Sequence, residues 1–176
     1  MNKKRSSQKG LTLIELLVAM VVVAMITGAV VASIIQLFTM SDRNSNYNAA
    51  FTQVQNAGYW VSHDAVQITQ EPTVISPAPS QFVSLTLDWH DGEDKTYHVV
   101  YTLEVSGQLK RTYSFEENGV PQPEQTIVIA QYIDPDPTRT TCDWNEAEGV
   151  LTLVITAQVG DQTVTRTYKV EARPLS

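Results

Sequence analysis

Residues 9–17 read KGLTLIELL and join a basic leader to a long apolar stretch. The twenty residues from Leu16 to Ile35 carry no charge. At about 1.5 Å rise per residue, a helix of this length is comparable to the ~30 Å hydrocarbon core of a bilayer. The stretch therefore predicts a single transmembrane helix, which we place at residues 11–40.

Glu15 is the only charged residue of this apolar segment. A carboxylate beside a membrane span costs free energy unless it stays at the surface or finds a partner. One interpretation is a carboxylate that rests at the level of the lipid headgroups. We favour the other, in which Glu15 has a function.

The distribution of basic residues predicts the topology of the span. Four of them precede it: Lys3, Lys4, Arg5 and Lys9. Only Arg43, beside Asp42, follows it closely. By the positive-inside rule the amino terminus is cytoplasmic and the rest of the chain lies outside. A secretory signal peptide cut within residues 29–33 is the alternative, but the apolar run is long for one, so we interpret it as retained.

Residues Lys9 to Met25 resemble the prepilin signature of type IV pilins and of the pseudopilins of type II secretion. The resemblance implies that a prepilin peptidase cuts after Gly10, so that residues 1–10 are a cleaved leader. It also implies that the new amino group of Leu11 is N-methylated and that Glu15 serves filament assembly. The family most often has Phe where this chain has Leu11.

The chemistry of the processed terminus agrees with this resemblance. After cleavage, a positive amine on Leu11 lies four residues before Glu15. Helices stacked at staggered heights would place the amine of one subunit beside the carboxylate of its neighbour, and each charge would neutralise the other in an apolar bundle. A subunit out of register would leave both unpaired. We therefore predict that Glu15 sets the register of assembly.

An amphipathic helix is predicted at residues 41–71, after the span. It begins with a polar patch at 41–46, where weak helix formers are expected to loosen the helix. The residues that follow at alternating steps of four and three predict one buried face. They are Tyr47, Phe51, Val54, Gly58, Val61, Ala65 and Ile68.

Residues 72–176 are predicted to form an antiparallel β domain, because the apolar period changes to two and turn residues separate the runs. The predicted strands are Phe82–Trp89, Tyr97–Val105, Leu109–Phe115, Gln125–Ile133, Val150–Gln158 and Gln162–Val170. The fold class is therefore α+β, with one long helix packed on about six strands.

Three short segments extend the resemblance beyond the amino terminus. They are Trp60–Asp64, Tyr101–Leu103 and Gly107–Arg111. Their order is similar to that in J-class minor pseudopilins and W-class minor pilins. In that group a helix that ends in an Asp-containing turn is followed by a Tyr-rich strand and a Leu-x-Arg strand.

Candidate catalytic groups are few. Ser62, His63 and Asp64 are the residue types of a hydrolase triad, but adjacent residues on a helix point about 100° apart and cannot converge. His90 and His98 are remote in sequence. Asp64 is better explained as an exposed or capping carboxylate, or as the partner of Arg111. We predict no enzyme activity and no catalytic residue.

No cofactor or metal site is predicted. The acidic residues of two loops could supply oxygen ligands for calcium, but solvated turn carboxylates are the favoured interpretation. These residues are Asp88, Asp91, Glu93 and Asp94 in one loop and Asp134 and Asp136 in the other. The only cysteine, Cys142, excludes an intrachain disulfide and is expected to be a small buried filler rather than a reactive thiol.

Charge and topology limit the partners. The chain carries a net charge of −7, and without the leader eight basic and 19 acidic side chains leave −11. We therefore expect no direct nucleic-acid binding. The resemblance implies other pilin or pseudopilin subunits, the prepilin peptidase and an inner-membrane assembly platform as partners, with membrane lipid around the helix before assembly.

Two functions follow from the sequence. The first is a minor pilin or pseudopilin, held in the inner membrane with its carboxy-terminal domain outside and then built into a surface or periplasmic filament. The second is a membrane-anchored extracytoplasmic binding module that recognises a ligand or secreted substrate. Glu15 distinguishes them, since a simple anchor has no use for it.

Overall fold

A computed structural model describes residues 12–69, 72–75, 84–91 and 95–172. Gly10 and Leu11, the predicted cleavage and methylation sites, lie outside these ranges, as do Glu93 and Asp94. The chain divides into two compact units, Met1–Asp42 and Arg43–Ser176. The first unit contains the predicted span, and the second contains the predicted β domain.

One helix, α1, runs without interruption from Leu13 to Ala65. The loosening predicted at residues 41–46 was wrong, because those residues are helical throughout. Their individual propensity costs are below about 0.7 kcal/mol, and the patch contains neither Gly nor Pro to break the hydrogen-bond ladder. The helix ends earlier than the predicted residue 71, since Gln67 N–H turns to the Asp64 carbonyl at 3.0 Å.

Nine strands form two antiparallel sheets in the described part of the chain. The strands are β1 Thr73–Ile75, β2 Ser84–Asp91, β3 Lys95–Leu103, β4 Leu109–Glu117, β5 Val120–Pro121, β6 Gln125–Ala130, β7 Thr141–Asn145, β8 Val150–Val159 and β9 Gln162–Glu171. The six predicted strands are all present, although the fourth of them, β6, ends at Ala130 instead of Ile133. The α+β class is confirmed, and β1, β5 and β7 are additional.

The larger sheet has the order β1-β2-β3-β4, and β5 and β6 both pair with β4. The smaller sheet has the order β7-β8-β9. Ile133 joins them, because it forms a bridge with Ala157 of β8 and its N–H donates to the Gly107 carbonyl at 2.9 Å. The two sheets therefore share one side of the core.

The carboxy-terminal part of α1 supplies the opposite side of that core. Val54 and Val61 from the helix belong to the same buried cluster as Leu87 of the larger sheet and Leu153 of the smaller one. The predicted face is confirmed at Val54, Gly58, Val61, Ala65 and Ile68, although Ile68 lies beyond the helix end. It is wrong at Tyr47, which is 45 % exposed, and it omitted the buried Ala50 and Ala57.

Candidate functional site

The amino-terminal part of α1 exposes a continuous apolar surface. Every residue from 12 to 45 is exposed, including Leu13 at 83 % and Phe38 at 68 %. Within the described ranges, α1 is the one helix that is long and apolar enough to cross a membrane, by length and composition. Apolar patches of this size are rare on soluble monomers and mark surfaces that lipid or protein covers.

Three hydroxyl groups in the apolar part of this helix are satisfied within it. Each donates to the carbonyl four residues earlier, at 2.8 to 3.0 Å; the pairs are Thr27 with Val23, Ser33 with Ala29 and Thr39 with Ile35. An apolar environment offers no water to replace such bonds. These three hydroxyl groups are therefore compatible with lipid or a packed helix bundle.

Glu15 closes a capping box with Thr12 at the start of α1. Oε2 of Glu15 accepts from the Thr12 N–H at 3.0 Å and from the Thr12 hydroxyl at 2.9 Å. In return, the Glu15 N–H donates to Oγ1 of Thr12 at 3.3 Å. The Thr-x-x-Glu spacing is a known signature of this motif, so the sequence held a signal for the contact that our sequence interpretation missed.

A second polar cluster lies where the end of α1 meets the larger sheet. Asp64 is 1 % exposed, so of the interpretations that the sequence left open, the exposed carboxylate is wrong. Its predicted pairing with Arg111 is confirmed, with Nε to Oδ2 at 2.7 Å and Nη2 to Oδ1 at 3.2 Å. Tyr101, which the sequence did not link to Asp64, donates its hydroxyl to Oδ2. Each of the three residues belongs to one of the segments Trp60–Asp64, Tyr101–Leu103 and Gly107–Arg111.

Electrostatics favour the neutral phenol of Tyr101 and the charged guanidinium of Arg111. Burial, followed by the charge of Asp64, raises the pKa of the Tyr101 phenol far above its usual range, so Tyr101 remains a donor. Burial works against the charge of Arg111, but the hydrogen bonds and charge of Asp64 outweigh it and raise the pKa of the guanidinium. The guanidinium also packs against aromatic rings, 5.1 Å from the centroids of both Trp60 and Tyr113.

The structure offers little support for a catalytic triad. Nδ1 of His63 lies 3.3 Å from Oδ1 of Asp64, but that carboxylate is already committed to Arg111 and Tyr101. Of the remote histidines, His98 contacts Asp88 at 2.5 Å. Ser62 has no hydrogen bond to a histidine within the described residues.

The other candidate groups have structural partners. Asp134 pairs with Arg139 at 2.6 Å, and Asp136 accepts from the N–H and hydroxyl of Thr138, which lower its pKa. No cluster of three metal-binding side chains occurs in the part of the chain that the structure describes. Cys142 is buried, as predicted, and burial raises the pKa of its thiol to about 12.

Comparison with known proteins identifies the amino terminus. Residues 5–31 match the model of a protein family described as the prokaryotic N-terminal methylation motif. Neither a curated protein nor a solved structure matches the chain. The matched residues include Arg5 and Lys9 of the leader, Glu15 and the first part of the exposed helix. The chain therefore carries the prepilin signature of type IV pilin-like proteins, on an amino-terminal apolar helix.

Proposed function

We propose that this protein is a minor pilin or pseudopilin, a structural subunit of a type IV pilus or of a type II secretion pseudopilus. The prepilin peptidase removes residues 1–10 after Gly10, and Leu11 is N-methylated. Residues 11–40 hold the subunit in the inner membrane, with the domain outside, until the assembly platform transfers it from lipid into a filament. Glu15 then pairs with the Leu11 amine of a neighbouring subunit.

The observation that carries this proposal is a carboxylate at the start of an exposed apolar helix, within a matched methylation motif. In an isolated anchor the side chain can cap its helix, but its negative charge adds a free-energy cost of insertion that an uncharged capping residue such as Gln would avoid. In a helix bundle it neutralises an amine that would otherwise be buried without a partner, and an unpaired buried charge costs about 3–5 kcal/mol.

The capping box leaves room for this second partner. Both bonds from Thr12 go to Oε2 of Glu15. Oε1 has no donor within hydrogen-bonding distance among the described residues. Thr12 and Glu15 both lie after the proposed cleavage point, so the box survives processing. One carboxylate can therefore cap its own helix through Oε2 and accept a neighbour's amine through Oε1.

Two substitutions separate the capping role from the charge. Glu15→Gln keeps an acceptor oxygen for Thr12, since Gln also serves at this position of a capping box, but removes the negative charge. Thr12→Ala removes the cap and keeps the charge. We expect Glu15→Gln to reduce incorporation into sheared filaments at least about tenfold, because the loss of a buried pair exceeds about 1.4 kcal/mol. Thr12→Ala should cost far less.

The measurement is the amount of each variant in the filament fraction, divided by its amount in the membrane. Membrane levels should stay unchanged, because neither substitution makes the span more polar. If Glu15→Gln enters filaments as the wild type does, the charge has no role in assembly. A membrane-anchored binding module would then be the better description of the protein.

A further inference from the structure

A cavity of about 430 Å³ lies at the end of α1, on the helix-facing side of the larger sheet. Its wall includes His63, Gln67, Trp89, Tyr97, Arg111 and Tyr113. The volume falls within the range of about 300–1,000 Å³ that is usual for small-molecule sites. The helix ends at Ala65, and residues of β2, β3 and β4 supply much of the cavity wall.

Arg111 is oriented toward one kind of ligand by its own contacts. Nε and one N–H of Nη2 bind Asp64 along one edge of the guanidinium, while the rings of Trp60 and Tyr113 lie against it. The guanidinium also interacts with the Tyr101 hydroxyl, which shares Oδ2 of Asp64. The edge formed by Nη1 and the second N–H of Nη2 makes no hydrogen bond to the described residues. The side chain is only 12 % exposed, so these donors are fixed in place before a ligand arrives.

We propose that this cavity binds a carboxylate attached to a flat apolar group. Two parallel N–H donors at the free edge of a guanidinium match the two oxygens of a carboxylate, and a single ammonium cannot reproduce that geometry. Because Asp64 and two aromatic rings already immobilise Arg111, little side-chain entropy is lost when the ligand binds. The site is separate from Glu15 and does not depend on the proposed assembly.

The aromatic wall defines the rest of the ligand. Tyr97 stacks on Trp89 with ring centroids 5.4 Å apart, and Tyr113 and Phe115 continue the aromatic group across β4. Of these rings, Trp89, Tyr97 and Tyr113 line the cavity and offer apolar contact beside the guanidinium. Asp64 offsets the charge of Arg111, so an anion without an apolar group gains little from the site. A phenyl-bearing carboxylate can contact both the guanidinium and the rings, with its charged end held at Arg111 and away from Asp91, which also lines the cavity.

The test uses the full chain in detergent micelles and ¹⁹F NMR of 3-(4-fluorophenyl)propionate. We expect the wild-type protein to broaden and shift the ligand signal, and the matching primary amide to bind at least about tenfold more weakly. Gly-Gly-Phe with a free carboxyl terminus, compared with its amide, shows whether a peptide end also enters the site. Equal binding of acid and amide would overturn the proposal.

Variants test the role of Arg111 directly. Arg111→Lys keeps the positive charge but loses the planar pair of N–H donors, so the affinity for the acid should fall at least about tenfold. Because Arg111 also contributes to folding, Gln67→Phe provides an independent test: it narrows the cavity at its rim without touching the Asp64 pair. Gln158→Phe makes the same change at an exposed position of β8 and should leave binding intact. Unchanged binding by folded Arg111→Lys, or by Gln67→Phe, would contradict the site.

Discussion

At the scale of residues, only one of the two contacts that Asp64 makes with Arg111 and Tyr101 could be predicted from the sequence. The pairing of Asp64 with Arg111 was predictable as a guess from charge, because a carboxylate near a helix end and an arginine on a later strand attract each other. Tyr101 was predictable only as a buried strand residue. Its hydrogen bond to Asp64 forms because α1 packs close to β3 at this point. The spacing of the two residues in the sequence does not reveal that proximity.

The buried pair leads to a prediction for stability. Asp64→Ala leaves the mostly buried guanidinium of Arg111 without its counter-charge, and the free energy of unfolding should fall by about 3–5 kcal/mol. Tyr101→Phe removes one hydrogen bond and keeps the packing, so it should cost only about 1–3 kcal/mol. Urea unfolding of the full chain in detergent, followed by tryptophan fluorescence, gives both values.

The double variant Asp64→Leu/Arg111→Met is the control for this prediction. It removes both charges and replaces them with apolar groups, so it should recover much of the stability lost in Asp64→Ala. If Asp64→Ala alone is within about 0.5 kcal/mol of the wild type, the pair is a surface contact and the description of a buried cluster is wrong.

At the scale of elements, the strands with a clear period of two were predicted within a few residues of their observed ends. The additional strands were not, and for β5 and β7 the physical reason lies in their residues. β5 contains Pro121, which argues against a strand except at an edge. β7 contains Asp143 and Asn145, which have low strand propensity. The division into two sheets was not predictable. Turn residues indicate which neighbouring strands form a hairpin, but the sheet to which a hairpin belongs depends on contacts between distant parts of the chain.

The packing of α1 on β9 predicts the effect of a small substitution. A Cβ at Gly58 would lie 2.0 Å from Cζ of Tyr168, whose hydroxyl donates to the Val54 carbonyl at 3.2 Å. Gly58→Ala should therefore displace the ring and cost about 1–3 kcal/mol of packing. The helix propensity of Ala returns at most about 1 kcal/mol, so we expect net destabilisation.

The matched control lies in the same helix. A Cβ at Gly28 would have no atom within 4 Å beyond the neighbouring helix backbone, so Gly28→Ala should leave urea unfolding of the domain unchanged. Both variants are compared with the wild type in the same detergent. A Gly58→Ala protein as stable as Gly28→Ala would show that Tyr168 does not pack against the helix as described.

At the scale of the whole molecule, the proposed function rests on the apolar composition of the amino-terminal helix and on the position of the processing motif before it. It does not rest on a catalytic group. The sequence predicted an apolar span, a processing motif and a separate β domain, and the described residues form a continuous apolar helix and a compact unit from Arg43 onward. The boundary that follows Gly10 remains a prediction. It rests on the leader and on the family match to residues 5–31.

The most direct measurement is the intact mass of this chain in sheared filaments. We expect one species that begins at Leu11, lacks residues 1–10 and carries one added methyl group. Gly10→Val should block the cut, so that the full-length precursor accumulates in the membrane and disappears from the filament fraction. Wild-type chain that keeps its leader, and that stays out of filaments in cells with an active prepilin peptidase, would contradict the claim that this protein is a processed filament subunit.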